Sequence, residues 1–192
     1  MKKGKVRFYS PMQKTMVTIL IIAIVLCLVF SCFYCYFSVN WLKSVAITFG
    51  IVAYHFLIRF ASPVILLTFF RKKYNYKSKW FQPKSCEQNL YNFLKVKKWK
   101  SYIFIFTYNP NEFSLKIHNA DEVVNNMCHA EAVHELIVAL CFTSLLFAIP
   151  FGAFWVFLIT AVLSALFDCI FVIIQRYNRP RVVQVLEKKG KL

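Results

Sequence analysis

Residues 16–37 contain no charged side chain. A bilayer core about 30 Å thick is crossed by about 20 apolar residues of helix, so this run alone excludes most water-soluble folds. Three further stretches repeat the pattern. Ser44 to Phe70 is apolar apart from His55, Arg59 and Pro63, and Leu136 to Ile149 continues an apolar face that begins near Val123. Ala153 to Ile174 holds a single charge, Asp168, and is set off by Pro150-Phe151-Gly152. The expected fold is all-α: a polytopic helical membrane protein with about four spans, near 16–37, 44–70, 132–149 and 153–174. All 192 residues are expected to form one membrane domain.

Composition agrees with lipid as the solvent. Hydrophobic residues make up 59% and charged residues 17%, against about 45–50% and about 25% in an average soluble domain. Lys and Arg nevertheless outnumber Asp and Glu by 24 to 8. Basic loops against anionic headgroups explain both facts. Disorder, a disulfide scaffold and a soluble nucleic-acid binder do not, so membrane lipids are expected partners and nucleic acid is not.

The basic residues also suggest an orientation. Five precede the first span, ten lie from Arg71 to Lys100 and six follow the fourth span. Ser38–Lys43 has one and the Pro150 turn none. With both termini and the central segment cytoplasmic, every basic cluster falls on one side. The first cluster resembles the start of a signal peptide, but the apolar run exceeds a 7–15-residue core and no A-x-A site follows. It is expected to remain as an anchor in the cell membrane.

The central segment, about 71–131, is too long for a plain connection. Ser85 with Gln88 resembles a helix-start box, leading into Leu90, Phe93 and Leu94 on one face, which suggests an interfacial helix. Trp80 and Trp99 are placed as interface anchors. Tyr102 to Thr107 is aromatic and β-branched, Tyr108-Asn109-Pro110 reads as a turn, and Asn119 with Glu122 opens a helix expected to continue into the third span.

Chemistry concentrates in Met127-Cys128-His129-Ala130-Glu131-Ala132-Val133-His134-Glu135. On a helix Glu131 and His134 share a face. A carboxylate can orient an imidazole so that its other nitrogen takes a proton from a hydroxyl, which makes His134 a candidate base and Glu131 its orienting partner. His129 and Glu135 flank them as candidate substrate contacts. The order H-x-E-x-x-H-E is not the H-E-x-x-H of zinc proteases, and no second Glu-x-x-His exists for a di-iron site. No metal is expected. Cys32-x-x-Cys35 lies inside an apolar span and reads as packing, and Cys128 is the one thiol near the site.

Gln175-Arg176-Tyr177-Asn178-Arg179-Pro180-Arg181 closes the fourth span. Arg176, Asn178, Arg179 and Arg181 could hold a phosphate, a carboxylate or a developing oxyanion. Arg59 is costly at membrane depth unless paired. The spacing places it within reach of Asp168, with His55 nearby, so the two are expected to pair and to close a polar pocket beneath His134.

These segments resemble one family. Ala130-Glu131-Ala132-Val133-His134 matches the A-E-apolar-apolar-H of the glycosyl-4,4'-diaponeurosporenoate acyltransferases of staphyloxanthin-type carotenoid synthesis. Residues 175–181 match its Q-R-Y-N-R-P-R, and Lys98-Trp99-Lys100 matches a K-W-K. The resemblance covers the chain after about Arg71. Where this chain has His129, Glu135 and Asp168, the pigment enzyme has a basic residue, Trp and Asn. The resemblance implies transfer of a fatty acyl group onto a hydroxyl of a glycolipid-like or other amphiphilic acceptor. It needs no bound cofactor, only an acyl thioester donor such as acyl-CoA or acyl carrier protein. A membrane hydrolase or metalloprotease, and a non-enzymatic lipid-binding subunit, are the alternatives left by the residues alone.

Overall fold

The computed structural model describes residues 11–70, 74–103 and 110–190, and among these every regular element is helical. Helices α1 (Pro11–Phe37) and α2 (Asn40–Phe70) form an antiparallel hairpin. Ser38 reverses the chain with φ 54°, its N–H donating to the Tyr34 carbonyl at 2.8 Å. The helices approach closely where Gly50 faces Cys27: a Cβ there would stand 3.4 Å from the Cys27 sulfur. Phe30 stacks on Phe49 beside it, 6.0 Å between centroids.

Helix α3 (Ser85–Phe93) and helix α4 (Val96–Ile103) follow the hairpin. The expected Ser85–Gln88 box is not formed. The residue before α3 is Lys84, without a side-chain cap, and Gln88 instead donates to the Asn92 side chain at 3.1 Å. Lys95 sits between the two helices at φ 52°, a left-handed conformation that costs a residue with a Cβ about 1–2 kcal/mol. Trp99 donates to the Leu94 carbonyl at 2.8 Å and packs with Tyr91, Val96 and Tyr177, so it pins α3 and α4 onto the chain's last helix. Residues 104–109 of the aromatic stretch and turn lie outside the described residues, and Tyr102 and Ile103 end α4.

After a 3-10 turn at Pro110–Phe113, the Asn119 box forms as read. Its side chain accepts the Glu122 N–H at 2.8 Å, and Glu122 accepts the Asn119 N–H at 3.3 Å. Two of the helix's four orphan donors are thereby satisfied. Helix α5 (Ala120–Thr143) runs on through a 3-10 turn into the short α6 (Ala148–Phe151). The third apolar element is thus continuous over 32 residues, longer than the 132–149 read from hydropathy. Gly152 at φ 71° and Ala153 at φ 53° then reverse the chain.

Helix α7 (Phe154–Lys188) has 35 residues, about 52 Å at 1.5 Å per residue. The apolar segment 153–174 is only its first part, and the arginine-rich run continues the same helix. Pro63 in α2 and Pro180 in α7 lie inside their helices. Proline has no N–H, so neither supplies the usual ladder bond to the carbonyl four residues back, at Arg59 and Arg176.

Helices α5 and α7 are antiparallel neighbours. At one end Ala120 and Val124 pack against Leu186, and at the other Ile137 and Cys141 meet Ala165 and Ile58 of α2. Outward apolar residues such as Leu28, Val64 and Leu163 are 60–62% exposed, as the lipid-facing side of a span requires. Four helical elements are long and apolar enough to cross a membrane; the protein is an integral membrane protein.

Candidate active site

Between the two apolar contacts of α5 with α7 lie two polar clusters. The upper one is centred on Glu131, whose side chain is wholly buried. Its carboxylate accepts from Arg176 Nη1 at 2.7 Å and from Arg179 Nη1. Arg176 also donates to Glu87 through Nε at 2.9 Å and Nη2 at 2.7 Å, and to the carbonyls of Trp80 and Gln82. Arg179 donates to the Phe81 carbonyl and lies over the Phe81 ring, 5.0 Å from its centroid. Two guanidinium groups from α7 therefore clamp α5 to the segment that leads into α3.

Glu87 completes the clamp. Burial pushes its carboxyl up, but the hydrogen bonds from Arg176 and from Tyr91 Oη at 2.8 Å, with the Arg176 charge, outweigh that and hold it below the usual glutamate range. Nothing in helical periodicity marks Glu87. The available signal was compositional, since it is the one acid among the ten basic residues of 71–100.

The lower cluster is centred on Asp168, also buried. Its Oδ1 lies 2.9 Å from His134 Nδ1, and its Oδ2 accepts from Arg59 Nη2 at 2.5 Å. The expected Arg59–Asp168 pair is therefore formed. Arg59 also donates to Ser164 Oγ at 2.9 Å and, through Nη1, to the His55 carbonyl at 2.6 Å. His134 stacks on Phe171 at 4.7 Å with the rings 12° from parallel. A carboxylate ion-paired to arginine only accepts, so Nδ1 of His134 carries the proton and Nε2 presents its lone pair. Among the described residues Nε2 has no hydrogen-bond partner, and the side chain is 24% exposed.

The expected pairing of Glu131 with His134 is thus corrected. They share a face of α5, but Glu131 is taken by Arg176 and Arg179, and the carboxylate that meets His134 is Asp168 of α7. Arg176 spends its donors within the protein, and Arg179 is buried with Nη1 on Glu131 and Nη2 on the Phe81 carbonyl, so neither stands open to a phosphate or oxyanion. Asn178 accepts from Lys100 Nζ at 2.8 Å. Arg181 folds back, Nη1 donating to the Tyr177 carbonyl and the guanidinium lying 3.6 Å from the Tyr177 ring centroid.

The remaining candidates are held by the segment after α2. His129 Nδ1 lies 3.0 Å from Tyr74 Oη; burial pushes the Tyr74 phenol up, keeping it protonated as a donor. Glu135 accepts from Trp80 Nε1 at 2.8 Å, a role that hydropathy reading of Trp80 as an anchor missed. Cys128 is fully buried. His55 is buried one turn from Arg59, and neither of its ring nitrogens has a partner among the described residues. Among those residues no three His, Cys, Asp or Glu side chains converge into a ligand set.

Residues 77–188, more than half of the chain, match the family model of glycosyl-4,4'-diaponeurosporenoate acyltransferase. The chain belongs to this family. It is a membrane acyltransferase of a carotenoid-pathway family. No curated protein and no solved structure matches it. The acyltransferase match begins after α2 and contains both α5 and α7, hence Glu131, His134, Asp168 and the arginine run. Arg59 and His55 enter the site from outside the matched region.

Proposed function

We propose that this acyltransferase moves a fatty acyl group from a thioester donor to a hydroxyl of an amphiphilic acceptor at the cytoplasmic membrane interface. The family's named acceptor, a glycosylated carotenoid acid, is the first candidate. His134 is the base. Its Nε2 removes the hydroxyl proton as the acceptor oxygen attacks the thioester carbonyl carbon. When the carbon–sulfur bond breaks, the departing sulfur takes that proton back from Nε2. Asp168 accepts a hydrogen bond from Nδ1–H throughout, which fixes the tautomer and stabilises the imidazolium that forms. Arg59 holds the other carboxylate oxygen of Asp168. The lipid tails of donor and acceptor lie between spans, so no water-filled pocket is required.

The observation that carries this reading is one imidazole anchored through Nδ1, with Nε2 unpartnered among the described residues. The basic clusters support a topology with both termini and α3–α4 on the cytoplasmic side, where soluble acyl thioesters are found. A positioned base contributes about 10²–10⁴-fold to rate. His134→Ala, purified in detergent and assayed with long-chain acyl-CoA and glycosylated carotenoid acceptor, should therefore lose at least about 100-fold in kcat. Its melting temperature should stay close to that of the parent. Near-normal turnover would remove His134 from the mechanism.

A further inference from the structure

Acyl transfer from a soluble thioester needs a place for the donor's phosphates, but Arg176 is spent on Glu131, Glu87 and backbone carbonyls, and Arg179 is buried against Glu131 and the Phe81 carbonyl. The unneutralised cations stand elsewhere. An open groove of about 490 Å³ lies where α3 and α4 meet the side of α7. Lys95, Lys97, Lys98 and Arg181 line it together with Tyr91 and Tyr177, and no acid is among its described lining residues. None of these four cations is in an ion pair among the described residues. Contrast Arg176, five residues before Arg181 on the same helix, which meets three carboxylates within 4.0 Å.

Three further features suit an anion site. Arg181 is held by the Tyr177 ring and carbonyl, so its charge is positioned before any ligand arrives. Lys95 keeps a left-handed backbone at the bend between α3 and α4, and strain of that kind gathers at ligand sites. At the edge of the groove Lys100 is pushed down, first by burial and then by the charges of Arg181 and Lys97. Crowded cations of this sort repel one another until an anion joins them.

We propose that this groove binds the phosphates of the acyl donor, as the nucleotide bisphosphate end of a coenzyme A thioester. The assignment rests on the acyl-transfer reading above. Lysine binds phosphate as a point charge, and a groove of this volume falls within the range of small-ligand sites. Its distance from the chemistry is suitable. From Asp168 to Arg181 is thirteen residues of α7, and from Phe171 ten, about 15–20 Å along the axis at 1.5 Å per residue. An extended pantetheine arm spans that length. Phosphate is also the chemistry of an anionic lipid headgroup, so the test must separate the two sources.

The full-length protein in uncharged detergent is titrated with coenzyme A itself, which carries no acyl group, and affinity and thermal shift are read. Coenzyme A should bind and raise the melting temperature, more weakly as salt rises, and dephospho-coenzyme A should bind at least several-fold more weakly. Lys97→Glu with Lys98→Glu should weaken binding at least tenfold, and Arg181→Gln several-fold. These side chains are exposed, and melting without ligand checks the fold of each variant. Lys95→Gly should raise the melting temperature of the free protein while weakening coenzyme A, a combination that a merely structural lysine does not produce. No binding by the parent, unchanged binding by the charge-reversed variant, or a response confined to phosphatidylglycerol nanodiscs would each overturn the assignment. His134→Ala should bind coenzyme A as the parent does. If that variant also keeps its turnover, the base is misassigned while the groove stands.

Discussion

Both polar clusters on the α5–α7 seam are built from a buried carboxylate of one helix and an arginine of another, yet they end in different states. Around Glu131 every charge is answered: two guanidinium groups, a second carboxylate and three backbone carbonyls close the network. Around Asp168 the carboxylate is divided between a guanidinium and an imidazole, and the imidazole keeps one nitrogen unpartnered among the described residues. The first arrangement holds helices together. The second holds a reactive atom in place. Proximity to the A-E-x-x-H motif is therefore a poor guide to which carboxylate assists the base; what the carboxylate's other oxygen touches decides it.

The sharpest way to break this comparison is Glu131→Leu. It strands two buried guanidinium groups, and losing one member of a buried charge network costs about 3–5 kcal/mol. Melting in detergent should fall so far that little folded protein is recovered. If Glu131→Leu melts normally but is inactive, the roles of the two clusters are exchanged. Next in size is the lower pair. Arg59→Leu and Asp168→Leu should each destabilise by a few kcal/mol, and the double variant should regain much of the loss because the two residues act as a unit. Additive losses would mean that each charge is satisfied independently.

A smaller effect is expected from pH. The Glu87 carboxyl is held below its ordinary value by Arg176 and Tyr91 despite burial, so the unfolded chain binds that proton more readily than the folded one. Its contribution is complete above the unfolded value of about 4.3 and fades as pH falls through the lower folded value. Glu87→Gln should flatten the acid limb of the melting curve and leave the neutral region almost parallel to the parent. An unchanged acid limb would remove Glu87 from the clamp. Smallest of all is His55→Leu. A buried imidazole without partners costs the folded state roughly 1–3 kcal/mol of lost hydration, so this change should leave stability unaltered or slightly raised. A large fall in melting temperature would mean that the ring is bonded after all.

The four spans were legible because an uncharged run of about 20 residues has few alternatives to a membrane helix. Their ends were not. Hydropathy stops at the last apolar residue, whereas α7 runs on past residue 174 for about four more turns, to Lys188, because Tyr177 and Leu186 still have cores to enter. The Arg59–Asp168 pair could be read from cost, since each charge needed a partner at similar depth. The Glu131–His134 pairing could not be checked that way. Two unit charges 4 Å apart attract by about 4 kcal/mol at an effective dielectric of 20, so a carboxylate offered two guanidinium groups by α7 turns from a neutral imidazole on its own helix. Only the antiparallel register of α5 and α7 reveals that offer.

The prolines of α2 and α7 each fall four residues after an arginine of these clusters, Arg59 and Arg176. At both levels the ladder lacks one rung by covalent necessity, and helix bends concentrate where rungs are missing. The two arginines thus sit at the softest points of otherwise stiff rods. Curvature entering α2 or α7 from the surrounding lipid is concentrated at the same heights where the charges are anchored, so a change in bilayer thickness would be felt first at the carboxylates they hold.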